Sequence, residues 1–266
     1  ADVVDRRRTV CRLIFIGLTG EQSYRDVVLQ AARTLATRYD ERVGCIRSWS
    51  WGTPDRWKYA VIIDNMMNQE LLFEASRLTG DEHYRNIAIS HANTTMKNHF
   101  RADGSCYHVV DYEPDDGSVI KRITHQGLFD ESVWSRGQGW AIYGYTMCYR
   151  YTHDPAYLDQ ARKTVDFWFS QEQMPDDLIP YWDMRDPAIP SAPRDASAAA
   201  IIASALYELA SYDEEKAELY RKYADKIAHN LESSYQPMPG TAQGFLLLHS
   251  TGNYPARDEI DVPINY

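Results

Sequence analysis

One phrase returns four times along this chain of 266 residues, and it limits the fold more than any other feature. It reads 19-TGEQSYRDVVLQAARTL-35, then 79-TGDEHYRNIAISHANTT-95, then 152-THDPAYLDQARKTVDFW-168. A weaker copy is 213-DEEKAELYRKYADKIAHNL-231. The tyrosines Tyr24, Tyr84, Tyr157 and Tyr220 are 60, 73 and 63 residues apart. Each copy opens with Thr or Asp beside acidic residues, which suits a helix N-terminus. Each continues with apolar residues at helical spacing, as in Val27, Ala31 and Leu35. Helix-like stretches over 58–78, 138–151 and 196–211 precede the later copies, so the repeating unit is a pair of helices joined by a short turn. Residues 196–211 are apolar nearly all round, the mark of a helix packed on several sides. Strand-like alternation is scarce, and 105-SCYHVVDY-112 is its best candidate, as a hairpin in a long loop. Long loops over 40–57, 100–135 and 173–195 are where function concentrates. The expected architecture is an all-α toroid of helical hairpins, a single domain over 1–266. The repeats predict about eight or nine helices, against the roughly twelve of a closed ring of six hairpins. The chain therefore reads as a barrel incomplete at both ends.

Composition removes several function classes. The net charge of -10 argues against a nucleic-acid or anionic-membrane surface. A run of about 18 apolar residues, the length that spans a membrane, does not occur. The start, ADVVDRRRTVCRLIFIGL, has arginines before a short apolar run but lacks a small-residue cleavage site. It reads as a buried first helix, which places the chain in the cytoplasm, or in the periplasm if a signal precedes it. Cys11, Cys45, Cys106 and Cys148 show no CxxC spacing and read as free buried thiols. The 7 Trp and 19 Tyr can stack on sugar rings or fill a core, and composition does not choose.

Three places carry chemistry. Asp64 interrupts the apolar run 58-KYAVIIDNMMNQELLFEAS-76, where burial favours the protonated form of a carboxyl and suits an acid catalyst. A buried structural Asp, bonded to a neighbouring helix, fits the same pattern. His108 and His125 stand in the long loop beside Tyr107 and Gln126. They lack HxH or HExxH spacing, so no zinc site is expected, and they suit donors to a hydroxylated ligand or plain surface histidines. In 130-DESVWSRGQGWAIYGY-145, a helix starting near Gly137 would set Arg136 and Trp140 on one face. A guanidinium beside an indole can hold a carboxylate and stack on a ring together. A salt bridge from Arg136 to Asp130 or Glu131 explains the arginine equally well. Gly137 and Gly139 allow close approach of a ligand or a helix.

These residues, with 62-IIDNMMNQELLF-73, 124-THQG-127, 132-SVWSRGQGWAIYGY-145, 181-YWDM-184 and 193-PRDASAAAI-201, are similar to the unsaturated glucuronyl hydrolases, glycoside hydrolase family 88. The resemblance runs from about Leu18 to the end. It implies an (α/α)6 barrel and a substrate with a 4,5-unsaturated uronic acid at its non-reducing end, left by a polysaccharide lyase. It implies hydration of the C4=C5 bond, in which an acid protonates C4, water adds at C5, and the hemiketal opens so that the glycosidic bond breaks. By the same resemblance Asp64 is the acid/base. His108, His125 and Gln126 surround the unsaturated sugar, Arg136 and Trp140 bind it, and Trp134 and Trp49 are aromatic positions of the pocket. No metal or organic cofactor is implied.

Two positions depart from the family. A second Asp belongs in an HD-x-GF motif that alignment places near residues 1–5, where neither Asp2 nor Asp5 sits in that motif. The loop 249-HSTGNYPARDE-259 keeps Ser250 of a sulfate-recognising version but has no lysine there. The expected partner is an unsaturated uronic-acid-terminated oligosaccharide of glycosaminoglycan type, with oligomeric state open. An unsaturated rhamnogalacturonyl hydrolase of the sister family is the enzymatic alternative, although the THQG and SRGQGWAIYGY wording favours the glucuronyl side. A truncated toroid that binds acidic sugars without turnover is the other.

Overall fold

The structure, a computed structural model, describes residues 19–50, 52, 56–242 and 244–264. The expected first helix, Cys11, Asp2 and Asp5 lie outside the described residues. Among those described are seven α-helices: α1 (Gln22–Ala36), α2 (Asn65–Thr79), α3 (Glu82–His99), α4 (Ser135–Thr152), α5 (Pro155–Phe169), α6 (Ala196–Leu209) and α7 (Ala217–Asn230). Five short strands accompany them: β1 (Tyr39–Asp40), β2 (Cys45–Ile46), β3 (Ala60–Ile62), β4 (Val109–Tyr112) and β5 (Val119–Ile123). All four copies of the repeated phrase form helices, α1, α3, α5 and α7. The chain groups into two compact units. Unit 1 runs to Asn98 and includes Val110–Lys121, and unit 2 comprises His99–Val109 and everything from Arg122 onward.

In unit 1, α1 packs on α2. The face that α1 buries is Val28, Ala31, Ala32 and Leu35, whereas Val27 is 37% exposed. The expected stripe through Val27 is thus one residue out of register. The spacing 28, 31, 32, 35 is the i, i+3, i+4, i+7 pattern of a core-facing helix stripe.

The expected helix over 58–78 divides. Residues 60–62 are strand β3, and helix α2 begins at Asn65 with Asp64 as its N-cap residue. Two forces extend the first half. The Asp111 carboxylate accepts the backbone N–H groups of Lys58 and Tyr59 (3.1 and 2.8 Å), and the Tyr112 N–H donates to the Tyr59 carbonyl (3.1 Å). The β-branched run Val61-Ile62-Ile63 then prefers a pleated, packed surface to a helix. β3, β4 and β5 form a sheet in that order, and central β4 is buried at all four residues while edge strand β5 alternates. This is the hairpin expected around 105–112, with its register set four residues into that stretch. The β4–β5 turn bonds the Gly117 N–H to the Glu113 carbonyl, and Asp116 accepts the Ser118 N–H (both 2.8 Å). Gly117 has φ +74°, and a Cβ there would meet the Arg42 carbonyl oxygen at 2.0 Å, so only glycine fits. Val43, Cys45, Tyr59, Val61, Val110 and Tyr112 make the core beneath the sheet.

In unit 2, α4 packs on both α5 and α6, and α6 packs on α7. Helix α4 is buried at nearly every position from Ser135 to Cys148. A Cβ on Gly139 would lie 3.3 Å from Ile202 Cγ1 and 3.4 Å from Ile201 Cγ2, so this glycine lets α4 approach α6 closely. Asp154 caps α5 by accepting the Ala156 N–H (2.9 Å), with Pro155 at the first helical position. Tyr157, Trp168 and Tyr220 are buried here, each worth about 2–3 kcal/mol of apolar burial. The tyrosines of the first two copies, in unit 1, are only half-buried.

Candidate active site

In unit 1, Asp64 occupies the junction between β3 and α2 and is buried. Its surroundings are laced to the segment that carries Trp49. The Asn65 side chain donates to the Ile46 carbonyl and to Ser48 Oγ (2.9 Å each), and the Ile62 N–H donates to the same Oγ (2.8 Å). Ser48 is therefore a clasp whose chain neighbour is Trp49. That indole is buried and meets Trp57 edge-on, with ring centroids 5.2 Å apart.

Unit 2 holds the other candidates. His108 ends the segment before β4, and Thr124, His125 and Gln126 follow β5. The backbone N–H groups of His125 and Gln126 both donate to His108 Nδ1 (3.1 Å). A ring nitrogen that accepts two N–H bonds carries no proton, so the proton sits on Nε2. Burial pushes the imidazole well below its ordinary value of 6.5, and the nearby charges of His125, Arg136 and His99 act the same way. His108 is thus a neutral donor through Nε2. Its ring lies 4.3 Å from that of Trp134. His125 and Gln126 are half-buried, and Gln126 Nε2 donates to the Gly252 carbonyl (2.7 Å).

Helix α4 begins at Ser135, two residues before the expected start, and this places Arg136 in its first turn. Arg136 is 1% exposed. Its ion pair is with Asp195 (Nη1 to Oδ2, 3.1 Å), 59 residues on. Asp130, offered by the sequence as a salt-bridge partner, instead accepts the Thr124 N–H (2.9 Å). Arg136 Nη1 also donates to Ser197 Oγ (3.2 Å) and the Thr251 carbonyl (3.0 Å), and Nη2 donates to the Gly252 carbonyl (2.8 Å). The guanidinium stacks over Trp134, 4.9 Å from the ring centroid. Trp140, one turn further along α4, is buried and meets Tyr143 edge-on at 5.9 Å.

Two aspartates that sequence reasoning passed over organise these groups. Asp183 is fully buried in the 181-YWDM-184 stretch. Its Oδ2 accepts the Leu128 N–H (2.9 Å) and the Ser132 hydroxyl (2.6 Å), and its Oδ1 accepts the Val133 and Arg185 N–H groups (3.2 and 3.0 Å). It thereby fixes the chain between Gln126 and Trp134. Asp195, also fully buried, caps α6 through the Ala198 N–H (3.3 Å) and accepts the Ser197 hydroxyl. Burial raises its carboxyl above the ordinary value, against the opposing pull of Arg136. An Asp just before a small-residue helix is a readable N-cap signal, but nothing local reports its ion pair.

Among the described residues no group of three or more His, Cys, Asp or Glu is arranged to hold a metal ion, and no helix is long and apolar enough to cross a membrane. Cys45, Cys106 and Cys148 are buried, as the sequence suggested.

The sequence model of Glycosyl Hydrolase Family 88 matches residues 18–207. The chain is 52% identical over 246 residues to the unsaturated glucuronyl hydrolase of Formosa agariphila, covering 92% of this chain and 61% of that protein. It is 31% identical over 248 residues to the unsaturated chondroitin disaccharide hydrolase of Streptococcus pneumoniae, covering 92% of this chain and 62% of that protein. The crystal structure of an unsaturated glucuronyl hydrolase specific for heparin superposes with a TM-score of 0.91 at 43% identity, over 94% of this chain and 67% of that one. The all-α toroid class expected from the repeats, and the (α/α)6 barrel that the resemblance implies, are thereby shown. The chain spans about three-fifths of the length of the curated relatives it matches.

Proposed function

Because the chain belongs to glycosyl hydrolase family 88, we propose that it releases the 4,5-unsaturated uronic acid from lyase-generated glycosaminoglycan-type oligosaccharides by hydrating the C4=C5 bond. The observation that carries this reading is the match over residues 18–207, which contains Asp64, the THQG turn and the RGQGW helix start.

In the reaction so read, Asp64 gives its proton to C4 and takes one from the water that adds at C5. The product is a hemiketal, which opens and cleaves the glycosidic bond. One carboxyl serves both transfers, so no pair of catalytic carboxylates at glycosidase spacing is needed. His108, neutral with its proton on Nε2, supports a role as hydrogen-bond donor to the sugar and not as proton acceptor. His125 and Gln126 stand beside it as further polar contacts. Trp134, Trp140 and Trp49 offer ring faces suited to a pyranose. Arg136 is assigned to the uronate carboxylate. Its partners constrain how, since a carboxylate gains an Nη bond there by replacing the Thr251 or Gly252 carbonyl, not the Asp195 anion.

The test is loss of the ultraviolet absorbance of the conjugated C4=C5 bond when an unsaturated chondroitin disaccharide meets the chain. Asp64→Asn keeps the shape and removes the proton, so turnover should vanish while binding persists. Full activity in Asp64→Asn would refute the assigned chemistry. Binding without turnover in the unaltered chain would mean that it recognises acidic sugars but does not hydrate them.

A further inference from the structure

We propose that Asp195 is the positioning residue for Arg136, fixing the plane in which that guanidinium meets the uronate carboxylate. The inference rests on the substrate reading above and names a residue that reading does not use.

A guanidinium is planar and presents its N–H groups in a rigid fork, so holding one Nη sets the direction of the rest. Arg136 Nη1 is held by the Asp195 carboxylate at 3.1 Å and by Ser197 Oγ at 3.2 Å. Ser197 in turn donates its hydroxyl to the other oxygen of Asp195. The carboxylate is itself immobile, because Oδ1 also caps α6 through Ala198 and the residue has no exposed surface. The same Nη1 also reaches the Thr251 carbonyl, and Nη2 reaches the Gly252 carbonyl, the two acceptors that a substrate carboxylate can replace. The 249–251 segment is stitched to the same corner. The Ala196 N–H donates to the His249 carbonyl, the Ser197 N–H to Ser250 Oγ, and Thr251 Oγ1 to the Arg194 carbonyl (3.0, 3.1 and 3.0 Å). Asp195 thus holds Nη1 through an anion that the substrate does not displace, while carbonyl acceptors on Nη1 and Nη2 stay exchangeable.

Asp195→Asn isolates this link. The amide oxygen can keep the Oδ1 position and its cap, and asparagine is as good an N-cap as aspartate. The amide NH2 then faces Nη1, donor against donor. The experiment pairs two readouts on the 266-residue chain. One is the affinity and the KM-against-kcat split for the unsaturated chondroitin disaccharide. The other is the nitrogen NMR spectrum of the Arg136 guanidinium, whose two Nη signals stay distinct only while rotation about Cζ–Nε is restricted. We expect Asp195→Asn to merge those signals and weaken binding about tenfold or more, with kcat held within about twofold. Ser197→Ala, a milder cut in the same clamp, should shift both readouts in the same direction by less, and it supplies the answer if the Asp195 variant does not fold. Unchanged affinity, or distinct Nη signals in the folded variant, would overturn the proposal. If the unaltered chain neither binds nor converts the disaccharide, the substrate reading fails, and the guanidinium spectrum alone then decides whether Asp195 orients Arg136.

Discussion

Replacing Asp183 by Asn tests how far one buried carboxylate holds the 128–133 segment in place. The native side chain takes four bonds, two on each oxygen. Asparagine offers one oxygen, so one pair of donors must face an NH2 group. With the NH2 in the Oδ1 position, the Val133 and Arg185 N–H groups both lose their acceptor. With it in the Oδ2 position, the Ser132 hydroxyl can rotate and accept, and only the Leu128 N–H is stranded. The second orientation therefore wins. Its cost has two parts. A stranded N–H costs about 1–3 kcal/mol, and bonds to a charged group are each worth roughly 1 kcal/mol more than neutral ones. Against this, the variant no longer holds a charge out of water. The net expectation is a loss of about 3 kcal/mol, and Asp183→Ala, which strands all the donors, should lose more. Urea unfolding followed by far-ultraviolet circular dichroism measures it as a lower midpoint at an unchanged slope. An Asn variant within about 0.5 kcal/mol of the parent would show that the four bonds are replaceable by water and that the reasoning is wrong.

Two further outcomes follow from the titrating groups. His108 is held neutral in the fold, whereas in the unfolded chain it gains a proton as pH falls through its ordinary 6.5. Its contribution is thus fully present above 6.5 and is lost below it, by up to about 1.4 kcal/mol per pH unit. His108→Asn, whose side-chain oxygen can take over the Nδ1 acceptor role, should flatten the acid side of a stability-versus-pH series, and superimposable series would contradict this. The Cys45 thiol is pushed up to about 12 by burial. Together with buried Cys106 and Cys148 it should resist a thiol-specific reagent at mildly alkaline pH until denaturant is added, as peptide mapping of the labelled sites would reveal.

The repeated phrase made the helices legible because a helix start depends on neighbours in sequence. Thr or Asp beside the copies marks where each helix begins, with Asp154 itself the cap of α5, and the spacing of apolar residues names the buried face to within one residue, as Val27 against Val28 shows. The stretch 58–64 failed for the opposite reason. A run of Val and Ile satisfies a helix or a strand equally, and what decides is Asp111, some 50 residues away, taking the N–H groups of Lys58 and Tyr59. The candidate site divides in the same way. His108, the THQG turn and the RGQGW start could be singled out because their chemistry is local and unusual. The partner of Arg136 could not, since acids at 130 and 131 were nearer in sequence than the one that the packing of α4 against α6 delivers. Asp183 was invisible because its work is to accept backbone N–H groups, which every residue but proline carries.

The β4–β5 hairpin also sets an order of events. The bonds that seat His108 close loops of 16 to 18 residues, and the hairpin brings their ends together. The bonds that hold Arg136 and Gln126 to the 251–252 carbonyls close loops of 115 to 126 residues. Short closures lose less chain entropy and form sooner. The seating of His108 is therefore expected to precede the closure of the 251–252 segment over the arginine. Slippage of that segment during folding would leave a finished donor beside a loose clamp.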